Sequence, residues 1–332
     1  MVRRFALIFF LSATIEAMAS PGNASGVDAS FDASLGLRTD NFRWNIAGSP
    51  GPGYPDVNVL SELSWRDIKV QEVRLAGDVH RMNAFLFQAY WSGGRIVAGK
   101  NQDSDYGGDD RTYEFSRSNN QSDMGDTRDI RIGTGFPTGD PAETMMTPLL
   151  GWSYSSERLF MLDGFQTISS YGNKVPLGPF GRLDSHYQHR WTGGWLGLEA
   201  TMAMAPRLRM GGVFRYYPRL TYLADADWNL RPDFNHPKSF EHTAEGKGWD
   251  FGFSLFYALD EDMDVGALVD WRRRWATGGT DTTFAGDGTV SVSPLNEVRW
   301  EVFSFGLTAR FRLPINDADR RSHLFEETDG PR

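Results

Sequence analysis

Between residues 103 and 110 the chain reads Asp-Ser-Asp-Tyr-Gly-Gly-Asp-Asp. Asp103 and Asp105 stand two apart, so an extended backbone turns both carboxylates to one side. Held that close they titrate as a unit, one binding its proton more tightly than the other. The same run also reads as a solvated turn, because Asp and Gly favour turn conformations. Hard oxygen donors crowd there as Ca²⁺ would require, but the EF-hand spacing and its closing Glu are missing. The glycines from Gly99 to Gly108 are not a phosphate loop, since no Lys-Ser/Thr follows them. The histidines are the other candidates for acid–base work. His236, in Asp233-Phe-Asn-His236, reads as an exposed loop residue. His186 and His189 flank Tyr187 as rim or interior residues, and His80 and His242 have no acidic partner at useful spacing. The absence of cysteine excludes a thiolate metal site, a redox pair and a disulfide scaffold. No metal and no cofactor are expected.

The elements that must position these groups are strands. From Val27 to Leu37 the chain alternates strictly, with Val27, Ala29, Phe31, Ala33, Leu35 and Leu37 on one face and Asp28, Ser30, Asp32, Ser34 and Gly36 on the other. One face suits lipid and the other a wet lumen, as in a transmembrane barrel. Val298 to Leu313 repeats the pattern, with Phe303, Phe305, Leu307, Ala309 and Phe311 on one side. Strands are expected at 27–38, 57–68, 70–77, 84–99, 129–136, 148–155, 157–166, 187–204, 207–224, 249–259, 263–275 and 298–313. Merging some of these gives an even count of about ten. Residues 101–126, 138–147, 225–248 and 277–297 read as long loops, whereas Ala205-Pro206 and Asp260-Glu261-Asp262 read as short turns. That asymmetry places the long loops outside the cell. Tyr90, Trp91, Trp152, Tyr154, Trp191, Trp195, Tyr216, Tyr217, Trp249, Tyr257, Trp271 and Trp275 fall near strand ends, where aromatic girdles sit.

Arg3 and Arg4, the apolar run Phe5 to Ile15 and Ala17-Met18-Ala19 form an export signal, expected to span residues 1–19 and to be cleaved before Ser20. Its apolar run is too short to cross a bilayer. The barrel is expected over 20–313, followed by a polar tail over 314–332. The mean hydropathy of −0.43 does not oppose this, because alternating faces average out. A net charge of −9 argues against a nucleic-acid role, which needs a basic excess.

Several segments resemble the omptins, outer-membrane barrel endopeptidases. They are Phe31-Asp-Ala-Ser-Leu-Gly, Ser61-Glu-Leu-Ser-Trp65, Gly151-Trp-Ser-Tyr-Ser-Ser-Glu-Arg158, Tyr187-Gln-His-Arg-Trp191, Gly211-Gly-Val-Phe-Arg-Tyr216, Trp271-Arg-Arg and Gly306-Leu-Thr-Ala-Arg-Phe311, in the family's order. The resemblance implies two clusters facing each other across an extracellular groove. A D-x-D followed by an aromatic lies on one wall and a D-x-H on the other, with water held between them and the His as base. Asp103-Ser-Asp105-Tyr106 matches the first, with Asn101-Gln-Asp103 as an alternative register. The second falls on Ala226-Asp-Trp228, or one residue later on Asp227-Trp-Asn229, and neither contains a histidine. Asn and Trp cannot take a proton from water, so the implied dyad is a displaced one, Asp227 with His236.

The resemblance therefore leaves two expectations. One is an endopeptidase that uses Asp103, Asp105, Asp227 and His236 and cleaves near basic residues. The other is an inactive barrel serving as adhesin, structural wall or small pore. Both place an all-β, closed antiparallel barrel in the bacterial outer membrane. Outer-membrane lipid, lipopolysaccharide above all, is the expected partner, met through Arg272-Arg273-Arg274 and Arg299, or else these are lumen or interface charges. A peptide or protein substrate is implied only by the first.

Overall fold

The computed structural model describes residues 27–48, 56–170 and 175–314. The expected export signal and the tail beyond Pro314 lie outside the described residues. Among these there are twelve strands: β1 Val27–Ile46, β2 Ser61–Arg81, β3 Phe85–Gly108, β4 Thr112–Gln121, β5 Gly125–Gly135, β6 Thr138–Gly139, β7 Thr144–Ser169, β8 Gly178–Ala205, β9 Leu208–Asp227, β10 Phe240–Ala258, β11 Met263–Phe284 and β12 Val290–Pro314. All neighbours are antiparallel. β1 pairs with β2 on one side and with β12 on the other. β4 covers the upper part of β3 and β7, while β5 covers their lower part, so the two share one wall. With the two-residue β6 set aside, ten walls close into a ring. Closure leaves no sheet edge to be satisfied in lipid, the condition for crossing a bilayer with strands.

The wall has two storeys. In the lower one, Phe31, Leu35 and Leu37 of β1, Val73 of β2, Phe253 and Leu255 of β10, and Phe303, Phe305 and Leu307 of β12 point outward and are exposed. The inward positions alternating with them are Ser34, Glu72, Arg74, Asp250, Ser304 and Thr308, all buried. A side chain at inward-facing Gly36 would stand 3.0 Å from the Phe305 carbonyl oxygen and 3.6 Å from an Arg74 guanidinium nitrogen, so glycine makes room for that cation.

Above this belt the polarity inverts. On β1 the outward positions become the half-buried Thr39 and the exposed Asn41 and Arg43, while Phe42 and Trp44 turn inward and are buried. Leu63, Trp65, Ile68, Tyr187, Trp191, Tyr222, Val298 and Trp300 join them in an apolar core inside the ring. Phe42 lies 5.6 Å and Trp65 5.4 Å from the Tyr187 ring centroid, and Phe42 stacks on His189 at 4.2 Å. The expected water-filled interior is thus corrected in this half, which is built like a water-soluble barrel.

Between the storeys the interior is filled by ion pairs. Asp129 accepts from Arg38 at 2.9 Å and from Arg272 at 3.0 Å. Arg38 also donates to Asp40 at 2.7 Å, Arg74 to Glu72 at 2.7 Å and to Asp270 at 2.6 Å, and Tyr217 to Asp250 at 2.7 Å. The Arg274 guanidinium lies over the Tyr217 ring at 3.9 Å. Arg272 and Arg274 therefore belong to the interior, whereas Arg273 faces out and pairs with Glu301.

The expected strands merge and lengthen. Residues 57–68 and 70–77 form most of β2, and 148–155 with 157–166 form most of β7. Much of the expected loop 101–126 is strand. Residues 138–147 lie at the short-turn end, because β5 descends to Gly135 opposite Leu149. Of the expected girdle, Trp152, Tyr216, Tyr257 and Trp271 face outward, but Trp191, Trp195 and Tyr217 are buried inside.

Two measurements test this arrangement. Leu35→Arg, at the middle of the apolar belt, should destabilise the refolded barrel by about 2–4 kcal/mol, while Asn41→Arg, above it, should stay within about 0.5 kcal/mol; urea midpoints in lipid vesicles compare the two. Asp129→Ala removes the carboxylate shared by two buried guanidinium groups, Arg38 and Arg272, and should cost about 3–5 kcal/mol in the same assay.

Candidate functional site

Asp103 and Asp105 lie on the upper end of β3, opposite Leu63 and Ser61 of β2. Directly paired residues share a face, and Leu63 is inside, so both carboxylates face inward at the extracellular mouth. They stand twelve residues and more above Trp91, where the outward apolar run of β3 ends. Burial pushes the Asp103 carboxyl well above the usual carboxylate range. The adjacent Asp105 charge adds to this, and the Arg231 guanidinium opposes it. Burial raises Asp105 too, against hydrogen bonds from Ser61 and Ser116 and the charge of Arg231.

On the far wall, β9 sends Tyr222, Ala224 and Ala226 inward and leaves Asp225 and Asp227 on the outer face. Asp227 pairs in register with His186, whose neighbour Tyr187 is the inward residue. His236 Nδ1 lies 2.5 Å from Asp227 Oδ1, so this Asp and His do meet. They meet on the outer side, while Asp103 and Asp105 face the inside. The inward position beyond Ala226 belongs to Trp228. Its backbone N–H donates to Ser239 Oγ at 2.9 Å, and its ring meets Phe240 edge-on at 4.6 Å.

The loop 228–239 is tied down on two sides. Asn229 Oδ1 accepts from the Asp184 N–H at 3.0 Å and from Ser185 Oγ at 2.9 Å, and its amide donates to the Arg182 carbonyl at 2.6 Å. Asn235 N–H donates to the Phe284 carbonyl at 2.8 Å, and Gly286 N–H to that of Asp233 at 2.9 Å. At the tip, Arg231 donates twice to Asp233, at 3.0 and 2.7 Å. That pair, with the charges of Asp105 and Asp103, holds the guanidinium firmly protonated.

Three histidines have carboxylate partners. His242 Nδ1 bonds Tyr187 Oη at 2.8 Å, Tyr187 Oη bonds Tyr222 Oη at 2.5 Å, and His242 Nε2 lies 3.2 Å from Asp281. His189 bonds Glu157 at 3.0 Å and His80 bonds Asp78 at 2.9 Å. The expectation that His80 and His242 have no acidic partner is overturned. The period-2 rule could have found His80, two residues from Asp78; His242 needs the β10–β11 register, which sets it opposite Asp281. Arg231 carried no signal at all, since its role depends on where the loop folds.

A family model described as Pom, Protochlamydia outer membrane protein, matches residues 32–313. The chain belongs to the Pom family. No curated protein matches it. Among solved structures, this Pom chain is similar to the outer membrane protease OmpT from Escherichia coli, with a TM-score of 0.68 and 14% identity over 87% of this chain and 98% of that one. The translocator domain of the autotransporter NalP from Neisseria meningitidis also matches, at TM-score 0.34 and 12% identity over 92% and 96% of the two chains. OprG from Pseudomonas aeruginosa follows at TM-score 0.32 and 8% identity, over 87% and 96%. The Pom chain is an outer-membrane protein with an all-β fold like that of OmpT, in contact with outer-membrane lipid.

The mouth predicts a pH dependence. A carboxyl raised on folding binds its proton more tightly in the folded state than in the unfolded one, where its pKa is about 3.9. The stabilisation is complete below that value and is lost as pH rises through the raised folded pKa. Urea midpoints should therefore fall with rising pH across this window, and Asp103→Asn should flatten that part of the profile.

Proposed function

We propose that this Pom-family barrel engages a partner at its extracellular rim, as an adhesin or structural wall of the outer membrane, without hydrolysing peptides. The carrying observation is at the end of β9, where Ala226 and Trp228 take the inward positions and Trp228 packs on Phe240. In the arrangement that the omptin resemblance implies, a histidine facing the carboxylate pair accepts the proton from water. Trp only donates, and the cation acting on Asp103 and Asp105 is a guanidinium, which does not deprotonate. The ion-paired interior argues likewise against a pore. The refolded barrel with lipopolysaccharide should leave Arg-rich peptides intact, and in planar bilayers it should pass no ohmic current.

One observation favours the rival reading, an endopeptidase that cleaves near basic residues with Asp103, Asp105 and the Asp227–His236 pair. It is the 2.5 Å contact that makes this pair a dyad despite its displacement. Peptide turnover that vanishes in Asp103→Asn and Asp105→Asn variants would establish that activity and overturn the proposal.

For the lipid partner we propose lipopolysaccharide phosphates, met by exposed cations just above the apolar belt. Lys69, Arg95, Arg128, Arg158 and Lys247 supply them. Replacing these five with Gln should weaken lipopolysaccharide co-purification and leave the urea midpoint in neutral detergent within about 0.5 kcal/mol of the parent.

A further inference from the structure

In the lower storey three guanidinium groups gather around one carboxylate. Arg274 Nη1 lies 2.6 Å and Arg131 Nη1 3.7 Å from the Asp250 carboxylate, to which Tyr217 Oη also donates at 2.7 Å. Arg215 stands in register with Asp250 across the β9–β10 pair, so it faces inward too. The other cations of the interior, Arg38, Arg74, Arg272, Arg274 and Arg310, each have a carboxylate oxygen within 3.0 Å. Arg215 forms no ion pair among the described residues, and its Nε is shut from solvent without a hydrogen-bond partner. All three cations around Asp250 are laid on aromatic faces: Arg131 at 3.8 Å from the Tyr90 centroid, Arg274 at 3.9 Å from that of Tyr217, and Arg215 at 5.3 Å from that of Trp195. A stacked guanidinium is held in place while its N–H edge stays available. The Trp195 ring reaches across to β5, where a side chain at Gly133 would stand 2.7 Å from it. Arg131 is the next inward residue above Gly133, so Arg215, lying over that ring, is carried toward Arg131. The neighbouring charges are committed elsewhere, Arg272 to Asp129 at 3.0 Å and Glu199 to the Gln88 amide at 3.0 Å. Three cations against one anion leave two positive charges unmatched. Beneath them the inward residues Gln88, Glu199, Thr201, Val213 and Ser254 are only half-buried, so water reaches the cluster from the short-turn end.

We propose that Arg131 and Arg215, with Arg274 beside them on Asp250, bind a phosphate dianion, free or as a monoester, in a recess that opens to the periplasm and ends at the ion-paired layer above. A doubly charged anion matches the charge left over, and its oxygens accept charge-assisted hydrogen bonds from guanidinium edges that arrive from different walls. A carboxylate carries one charge only and would leave the other cation unmatched. Asp250 keeps Arg274 and Tyr217, so the anion lies on the Arg131–Arg215 side of the cluster.

The test titrates the full chain, refolded in neutral detergent, with inorganic phosphate or glycerol phosphate at constant ionic strength, chloride making up the balance. The urea midpoint should rise with phosphate and level off, as for a ligand that binds only the folded state. Arg215→Met should weaken the phosphate response by about tenfold or more, and Arg131→Gln should weaken it in the same direction. In chloride alone, Arg215→Met should unfold at a urea midpoint equal to or above the parent's, because it removes a cation that no carboxylate meets. A midpoint well below the parent's there would make Arg215 a structural cation and overturn the site. A phosphate response of equal size in parent, Arg215→Met and Arg131→Gln would mean an adventitious ion only, and an equal response of the parent to acetate would mean general screening; either result overturns the proposal, as does the absence of any response. A response to inorganic phosphate alone identifies the free ion as the ligand, and a stronger response to glycerol phosphate identifies a monoester.

Discussion

The closed ladder is the constraint on which everything else rests. In lipid no backbone N–H or C=O can be left to water, so β1 must find both β2 and β12 and the sheet must shut on itself. Closure fixes which side chains face out, and the surroundings then decide what they must be. Beside lipid the outward set is Phe31, Leu35 and Leu37; a few residues higher on the same strand it is Thr39, Asn41 and Arg43. The facing of the strand does not change, but its solvent does. Since the ring continues into water, the only place left to bury apolar area there is the inside, and Phe42 and Trp44 go there.

This inversion explains the ion pairs at the junction. An interior polar in one storey and aromatic in the next needs a layer that belongs to both. Arg38, Asp40, Asp129 and Arg272 supply it: Arg38 and Arg272 share Asp129, while Asp40 also accepts from the indole N–H of Trp300, a member of the upper core, at 3.2 Å. Charges this deeply buried are tolerated because each is met by an opposite charge, and taking one partner away costs far more than the pair contributes. The same layer fills the interior at mid-height, and the aromatic core fills it above.

The inversion also marks where sequence reading stopped. Alternation identified β1 from Val27 to Arg38 and failed beyond it because the apolar residues change phase there, moving from odd to even positions. The expected β1, β3, β8, β10, β11 and β12 stop short of their upper ends, and the polar stretch 101–126 reads as loop although β3 runs to Gly108 and β4 starts at Thr112. Trp191, Trp195 and Tyr217 were placed in the lipid girdle for the same reason, because an aromatic near a strand end can face either the girdle or the upper core. The carboxylate pair was legible, since a spacing of two survives any register. Its counterpart was not. Whether Asp227 faces in or out depends on a single residue of register, and the guanidinium that acts on the pair comes from a loop whose path no local pattern encodes.

The mouth shows how one fold can keep a wall and change what stands on it. A carboxylate pair facing inward across a hydrated gap raises its own proton affinity by mutual repulsion and burial, and something positive is needed opposite to hold both charges. A histidine there could lose its proton and act as a base. An arginine gives the same charge relief without that freedom, because its guanidinium stays protonated through any pH the cell meets. Here the charge of Arg231 acts on the acids, Trp228 fills the inward position at the end of β9, and His236 is turned to the outer face with Asp227. This arrangement needs no change in the ten-walled ring beneath.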